Sequence, residues 1–560
     1  MLEHTDGGRR YKGKVENTSI DEVIGMQSLS SGEEFDVVIS GYGPTGLAAA
    51  SLLSGRGHRV WVFERWPTLY GQPRMATIDG ESARIVQAAC DADAAFRNSL
   101  PRRRDILANG AGEILLDLPW NRDHICGFPF RISLHQPDIE DAMDVAARRQ
   151  GAEINQGWEV LSVSQTEASA VVTARERMVG GGGEVAWGRE RTVRARYVIG
   201  ADGTRSAIRE SLGIEREDWP YRNAWLSFDA VRKRKLPNIL GLSPDAQIAV
   251  IFGAPDGRAH SIIPLGKEHI RFNLEADPDA DHSAKMNHDF AYGFLAEFYG
   301  LSEDDVEVYR CAVYPFEGKL ATSWRQGRVF LAGDAAHLMT PFLGQGGCSA
   351  LRDAVNLAWK LDLVLRGVAD EAILNTYEAE RKPHVRVYID GSDRLAAMLF
   401  PKDQAAAKAR DRKYLGGGVS PAPAEPLVTT GILDRRNGSI TPLAGSLGPQ
   451  GVVRYGEIEG RFDDVFGWGF QLIANRFDPA SILNADQSAF LRRVGCAVVG
   501  VADRSVDGLA LDVDGAYGRF FNANGVEAIL VRPDFTIFGA ARARGETPLI
   551  VSALRGQLGA

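Results

Sequence analysis

The residues best suited to chemistry fall into three separated groups. The first is Asp36-Val-Val-Ile-Ser-Gly41-Tyr-Gly43-Pro44-Thr45-Gly46, a G-x-G-x-x-G run where an apolar strand should turn into a helix. Its first glycine permits a tight turn, its second lets a pyrophosphate approach the backbone, and its third lets helix and strand pack closely. Unpaired N–H groups at the start of such a helix attract phosphate charge. Glu64 closes the next apolar run, Val60-Trp-Val-Phe63. An acid about twenty residues beyond the glycines can accept from ribose hydroxyls, so dinucleotide binding outweighs a merely structural turn. The second group, Asp202-Gly203, follows the apolar Tyr197-Val-Ile-Gly200 and by itself reads as a turn. The third is Gly333-Asp334 with His337, followed by Pro341-Phe-Leu-Gly344-Gln345-Gly346-Gly347. Asp334 stands at a strand's C-terminal end, where α/β sheets bind ligands, and the glycine-rich stretch leaves N–H groups for negative charge.

Other polar residues have plainer readings. Asp79 precedes a helix and suits an N-cap. Arg74 could hold a phosphate, although an exposed arginine is more often only solvated. His337 has no nearby nucleophile that would mark it as a catalytic base. Cys90, Cys126, Cys311, Cys348 and Cys496 are scattered and form no C-x-x-C or zinc spacing. Reduced thiols in a cytoplasmic setting are therefore expected, with no metal site.

These groups must be positioned by more than one core, because 560 residues exceed what a single domain buries. The 44% hydrophobic and 24% charged content is that of a soluble globular chain. A net charge of -9 and a pI near 5.7 argue against nucleic-acid binding. No stretch reads as a membrane span, and residues 1–31 read as a mobile extension rather than a secretory signal. Residues 32–400 are expected to form a Rossmann-like α/β domain. Alternating runs such as Trp225–Asp229 and Ile270–Leu274 imply an inserted antiparallel sheet, at about 110–135 and 215–315. Helices are expected over Glu81–Ala89, from Pro137 to Gln150, and up to Leu365 behind the third group. Gly416–Gly418 and Pro421–Pro426 mark 401–427 as a linker, leaving a small α/β domain at 428–560.

The order of the three groups resembles the FAD-dependent aromatic hydroxylases of the para-hydroxybenzoate hydroxylase type. Pro341 to Leu361, His135-Gln136-Pro137, Trp225-Leu226 and Tyr377–Pro383 are especially similar to the 3-(3-hydroxyphenyl)propionate hydroxylase branch. The resemblance implies a thioredoxin-like C-terminal domain. It implies that Gly41, Gly43, Pro44, Thr45 and Gly46 hold the FAD pyrophosphate, that Glu64 holds the ribose, and that Arg65, Arg74 and Gln136 add cofactor contacts. Asp202 falls in a segment used for FAD and the nicotinamide cofactor, while Gly333 and Asp334 reach the ribityl chain. Pro341, Gly344, Gln345, Gly346 and Gly347 would line the isoalloxazine, with Pro341 at the reacting centre. Asp79 matches an acid that phenol-hydroxylating relatives keep near flavin and substrate. Two departures stand out: Gly347 replaces a larger residue, and Met75 replaces an alanine.

The implied activity is that of a single-component monooxygenase. NADH or NADPH reduces FAD, O2 forms a flavin C4a-hydroperoxide, and a small phenolic substrate is hydroxylated ortho to its hydroxyl. A flavin halogenase or reductase of the same fold, or a noncatalytic flavin-binding interaction protein, are the alternatives. The resemblance leaves a homo-oligomer open.

Overall fold

The computed structural model describes residues 34–180, 184–241, 247–254, 258–401, 403–418, 425–436 and 438–559. The expected N-terminal extension lies outside these residues, as do residues 181–183 of the glycine run Gly180–Gly183, expected from the sequence to be a flexible hairpin tip.

Val37, Val38 and Ile39 are continuously apolar because their strand, Glu34–Ser40, is central in a parallel sheet and covered on both faces. It pairs in parallel with Val60–Glu64 on one side and Val185–Gly200 on the other. Val329–Leu331 continues the sheet beyond Gly200. Ser40, Gly200 and Leu331 lie abreast in register. The three groups of chemical residues therefore emerge side by side at the C-terminal ends of adjacent strands. Glu34–Ser40 leads into the helix Pro44–Ser54, so this edge is also where strand order reverses, the usual ligand crevice of such sheets.

The second sheet runs, in order, His337–Leu338, Val306–Ala321, Arg216–Arg232, His269–Ala276, His260–Leu265, Ile248–Gly253, Arg104–Asn109 and Ile114–Pro119. Leu226, Phe228 and Ala230 point to one face and pack against Phe294 and Leu295 of the helix His288–Tyr299. The alternate residues face the first domain. One expectation is corrected here: Ile248–Gly253 and Arg104–Asn109 pair in parallel, because the latter comes from a separate chain segment. Within 110–135, Ile114–Pro119 joins this sheet, whereas Arg131–Ser133 pairs with Thr77–Asp79 and Leu100–Pro101.

The expected linker contains the helix Gln404–Leu415, capped by Asp403, which buries Tyr414 and Arg410. Asp411 accepts from Asn109 of the second sheet, so this stretch is packed structure over much of its length.

The C-terminal unit has a parallel pair, Gln471–Asn475 and Ala497–Ala502, joined through the helix Ala485–Arg493. An antiparallel hairpin, Ala528–Val531 with Ile537–Ala541, and the helix Thr547–Leu558 complete a thioredoxin-like order. Burial pushes the Cys496 thiol up to about 12, which leaves it unreactive. Its core is continuous with the first domain, where Phe470 meets Trp359 edge-on at 5.6 Å. Buried polar pairs reinforce the join. Arg84 donates to both oxygens of Asp463 at 2.7 and 2.9 Å, and Arg532 and Lys360 both donate to Glu380.

Breaking one such pair leaves a buried charge uncompensated. Asp463→Ala is expected to destabilise the FAD-loaded protein by about 3–5 kcal/mol, seen as a lower thermal midpoint. Burial alone would raise the Glu380 carboxyl, but Arg532 and Lys360 outweigh it and hold the group below its usual range. That contact therefore stabilises the fold above about pH 4.3, and the contribution is lost as pH falls towards the folded value. A melting series from pH 7 to 3 on the parent and Glu380→Gln checks the sign.

Candidate active site

The glycine loop has the shape its spacing implies. Gly41 has φ +95°, and a Cβ there would stand 2.4 Å from the Ala201 carbonyl oxygen. A Cβ on Gly46 would stand 2.1 Å from the Gly41 oxygen, whereas Gly43 faces open space. Only the middle glycine therefore leaves room for a ligand. Gly43 caps the helix Pro44–Ser54 with no side-chain bond, so its first N–H groups stay available. Glu64 accepts from the Tyr42 N–H at 2.7 Å and the Trp66 N–H at 3.0 Å. Burial raises its carboxyl. Arg65 is half-buried beside the Trp66 ring.

Asp202 accepts from the Ile208 N–H through Oδ2, while its buried Oδ1 has no partner among the described residues. A buried acceptor in that state fits a ligand hydroxyl or amide. Gly333, with φ +61°, starts a short turn in which Asp334 stays 40% exposed. Its Oδ2 lies 3.7 Å from the Arg74 guanidinium, which brings two of the expected cofactor residues together. Thr45 packs against Gly333, whose added Cβ would meet Oγ1 at 2.4 Å. These strand-end residues thus fit a dinucleotide stretched from the Glu64 side towards Asp334.

The Gln136 side chain is engaged within the protein. Its Oε1 accepts from the Arg74 and Met75 N–H groups at 2.9 and 2.7 Å, and its Nε2 donates to Glu140. The residue clamps the loop that carries Arg74. From the other side, Arg271 donates to the carbonyls of Pro73 and Arg74, and Arg310 to that of Pro73. Asp229 holds both guanidiniums.

The third group turns at Pro341–Leu343 and Gly344, φ +66°, into the helix Gly346–Leu365. Arg131 donates twice to the Leu343 carbonyl at 3.2 Å. Gln345 donates to Asp79 Oδ2 at 3.0 Å and accepts from Arg352 at 2.8 Å. Arg352 also donates to Asp79 and Glu81, both at 2.6 Å. Asp79 is an N-cap as well, since its Oδ1 accepts from the Ser82 N–H. Burial would raise its carboxyl, but Arg352 outweighs that and holds it well below the usual range. Asp79 therefore remains ionised and reaches the Pro341–Gly347 loop through Gln345.

Arg352, Glu81, Asp353 and Arg381 escaped sequence reading. Asp353 accepts from the Gly333 N–H and Arg381, and lies 2.6 Å from His337 Nε2. His337 is thus a buried support of the Asp334 turn. The available signal was spacing: Gln345 and Arg352, seven residues apart, share one helix face.

Gly347 and Met75 are complementary. A Cβ on Gly347 would stand 2.3 Å from the Met75 sulfur, so the thioether fills the space that a side chain there would take.

A crevice shaped for a dinucleotide at the strand ends, a helix start against its far end and a second sheet beside it make up the candidate site. Residues 34–392 match the FAD binding domain family, and 445–556 match the HcaD C-terminal domain. A probable NADH-specific resorcinol 4-hydroxylase of Rhodococcus jostii (strain RHA1) is 33% identical over 91% of this chain and 93% of its own. A 3-(3-hydroxy-phenyl)propionate/3-hydroxycinnamic acid hydroxylase of Mycobacterium sp. (strain KMS) is 30% identical over 93% of this chain and 91% of its own. The ternary complex of aklavinone-11 hydroxylase with FAD and aklavinone superimposes with a TM-score of 0.71 at 26% identity, covering 95% of this chain and 100% of that one. The flavin-dependent monooxygenase PieE gives 0.76 at 22%, covering 94% and 99%, and supports the fold. The chain belongs to the FAD-binding-domain family of aromatic hydroxylases: it is an enzyme, and FAD is its cofactor.

Asp334→Ala should weaken FAD binding roughly ten- to a hundredfold, the loss of one charged hydrogen bond, with little change in apoprotein melting. Gly347→Ala should displace Met75 and weaken FAD as well, while Met75→Ala/Gly347→Ala should recover most of the affinity. Flavin titrations of the three variants check both statements.

Proposed function

We propose that this enzyme hydroxylates a phenolic ring ortho to its hydroxyl, with NADH and O2 as co-substrates. The balance is ring C–H + O2 + NADH + H⁺ giving ring C–OH + NAD⁺ + H2O. The observation that carries the phenolic reading is the aromatic wall against the flavin loop. Phe342 meets Tyr221 at 5.9 Å, Trp225 at 6.2 Å, Phe316 at 5.9 Å and Phe400 at 5.0 Å. Such a packed cluster keeps water from that side of the loop and offers apolar aromatic surface to a flat ring.

The two relatives support the chemistry, since both are named for rings bearing a meta-placed hydroxyl substituent. A phenol oxygen activates its ortho and para carbons, and position 4 of resorcinol is ortho to one hydroxyl. The name of the first relative also favours NADH. FAD, when bound, supplies the hydride acceptance and oxygen activation. This chain's residues do the rest. The N–H groups at Gly346 and Gly347, at the start of a helix, would favour negative charge on a flavin bound against them. Pro341 begins the turn at the reacting centre, and its carbonyl accepts from the Gly344 N–H at 2.8 Å. Asp79 holds Gln345, and through it that turn, in one orientation; with both oxygens engaged it is a positioning residue rather than a base.

Asp79→Asn keeps the cap acceptor and removes the charge. FAD binding should hold, while product formed per NADH falls and hydrogen peroxide rises. Coupling, rate and pH profile equal to the parent would reduce Asp79 to a cap. Phenol-stimulated NADH oxidation with a hydroxylated product tests the activity itself; its absence across a phenol panel would overturn the proposal.

A further inference from the structure

The two relatives differ in one respect that this chain must resolve: one is named for an uncharged dihydroxybenzene, the other for rings with a carboxylate side chain. The wall facing the flavin loop distinguishes these chemistries.

Tyr221, Asn223, Trp225, Ser227 and Asp229 alternate along Arg216–Arg232 and so share one face of the second sheet. The two ends of this row reach the two loops that carry cofactor residues. Tyr221 and Trp225 meet Phe342 of the flavin loop. Asp229, through Arg271 and Arg310, grips the backbone at Pro73 and Arg74. Tyr314 is the register partner of Trp225 on the next strand, so both side chains rise from the same place between those loops. The Tyr314 ring lies beside the Arg271 and Arg310 guanidiniums, at 5.7 and 5.4 Å.

Most of this face is internally satisfied. Ser227 donates to Asn273, which donates to Ser261. Asn223 donates to the Tyr221 hydroxyl and to Glu275. Two polar atoms are not: the Tyr314 hydroxyl and the Trp225 indole N–H are buried without a partner among the described residues. Leaving each so costs about 1–3 kcal/mol, and a ligand that bonds to them recovers it. Burial raises the Tyr314 phenol, so it stays protonated and able to donate.

The charge on this wall excludes one kind of ligand. Arg271 and Arg310 are engaged by Asp229 and backbone carbonyls. Arg131 is engaged by the Leu343 carbonyl, and Arg352 by Asp79, Glu81 and Gln345. Glu275 stands opposite Trp225 across the strand pair. A substrate carboxylate brought here would have to compete with Asp229 for Arg271 and Arg310, or take the Arg131 Nε, the one atom of these four guanidiniums left buried without a partner among the described residues, with Glu275 close to the row.

We propose, on the hydroxylase reading above, that the substrate is an uncharged polyhydroxylated benzene held through Tyr314 and Trp225, and that the site rejects rings bearing a carboxylate side chain. The Tyr314 hydroxyl donates to one ring oxygen and fixes which ring carbon faces the flavin loop.

The test uses the FAD-loaded full chain with resorcinol and 3-(3-hydroxyphenyl)propionate, following NADH oxidation and product. Resorcinol should be favoured in kcat/KM by roughly tenfold or more, the value of one hydrogen bond. Tyr314→Phe removes only the hydroxyl. It should raise KM for resorcinol roughly five- to tenfold and increase peroxide per NADH, with FAD affinity unchanged. Equal or better turnover of the carboxylate substrate overturns the charge argument while leaving the hydroxylase reading standing. Parental KM and coupling in Tyr314→Phe overturn the role of Tyr314. Hydroxylation of neither ring, nor of any other phenol, overturns the hydroxylase reading and this inference with it.

Discussion

The ion pair between Arg352 and Asp79 is the contact on which the site's geometry depends. Both groups are buried, and the pair joins the long helix Gly346–Leu365 to the strand and helix that meet at Asp79. Gln345 completes it, so the start of the long helix cannot turn without breaking hydrogen bonds to charged groups. One residue further along, Asp353 ties the same helix to the Gly333 turn and to Arg381. The two ends of the cofactor crevice are therefore held by adjacent residues of one rigid element. Buried pairs of this kind add little net stability over apolar packing, but they fix one arrangement, because any other leaves a charge unpaired.

The second sheet acts as the complementary jaw. Its inward row is aromatic where it meets Phe342, neutral and polar in the middle, and ion-paired at the end where Asp229 holds Arg271 and Arg310 against the Pro73 and Arg74 carbonyls. The loop that carries Arg74 and Met75 is thus gripped from both sides, by Gln136 and by this sheet. The second sheet and the loop that carries Arg74 are one mechanical unit.

Much of this was legible in the amino-acid chain, and the reason is local. Gly41, Gly43 and Gly46 encode a backbone shape, and Glu64, Asp202 and Asp334 follow apolar strands whose parallel pairing brings their ends abreast. Short-range pattern sufficed there. Arg352, Asp353, Arg381 and Tyr314 could not be found that way, because their partners lie in distant segments and their own neighbours are ordinary helix or strand residues. The parallel pairing of Ile248–Gly253 with Arg104–Asn109 was hidden for a related reason: alternation reveals a half-covered strand but not the direction of its neighbour. The hold of the Gln136 amide on the loop that carries Arg74 is likewise invisible in sequence, because its partners lie some sixty residues away. The helix Gln404–Leu415 was obscured by the Gly and Pro residues that follow it.

The C-terminal unit looks like a module when the chain is read in order, with its own sheet and a glycine- and proline-rich approach. Its surface tells otherwise. Arg532 and Asp534 meet Glu380, Asn356 and Trp359 inside the first domain, and Asp463 meets Arg84 beneath the Asp79 helix. Asn356 and Trp359 belong to the same long helix that carries Arg352 behind the Pro341–Gly347 loop. A tail grafted from a relative would therefore have to bring matching charges at those positions, or the recipient would be left with half-filled sockets one and two helical turns behind the Arg352 contact. For anyone building chimaeras, the natural seam of this enzyme is not the one its sequence advertises.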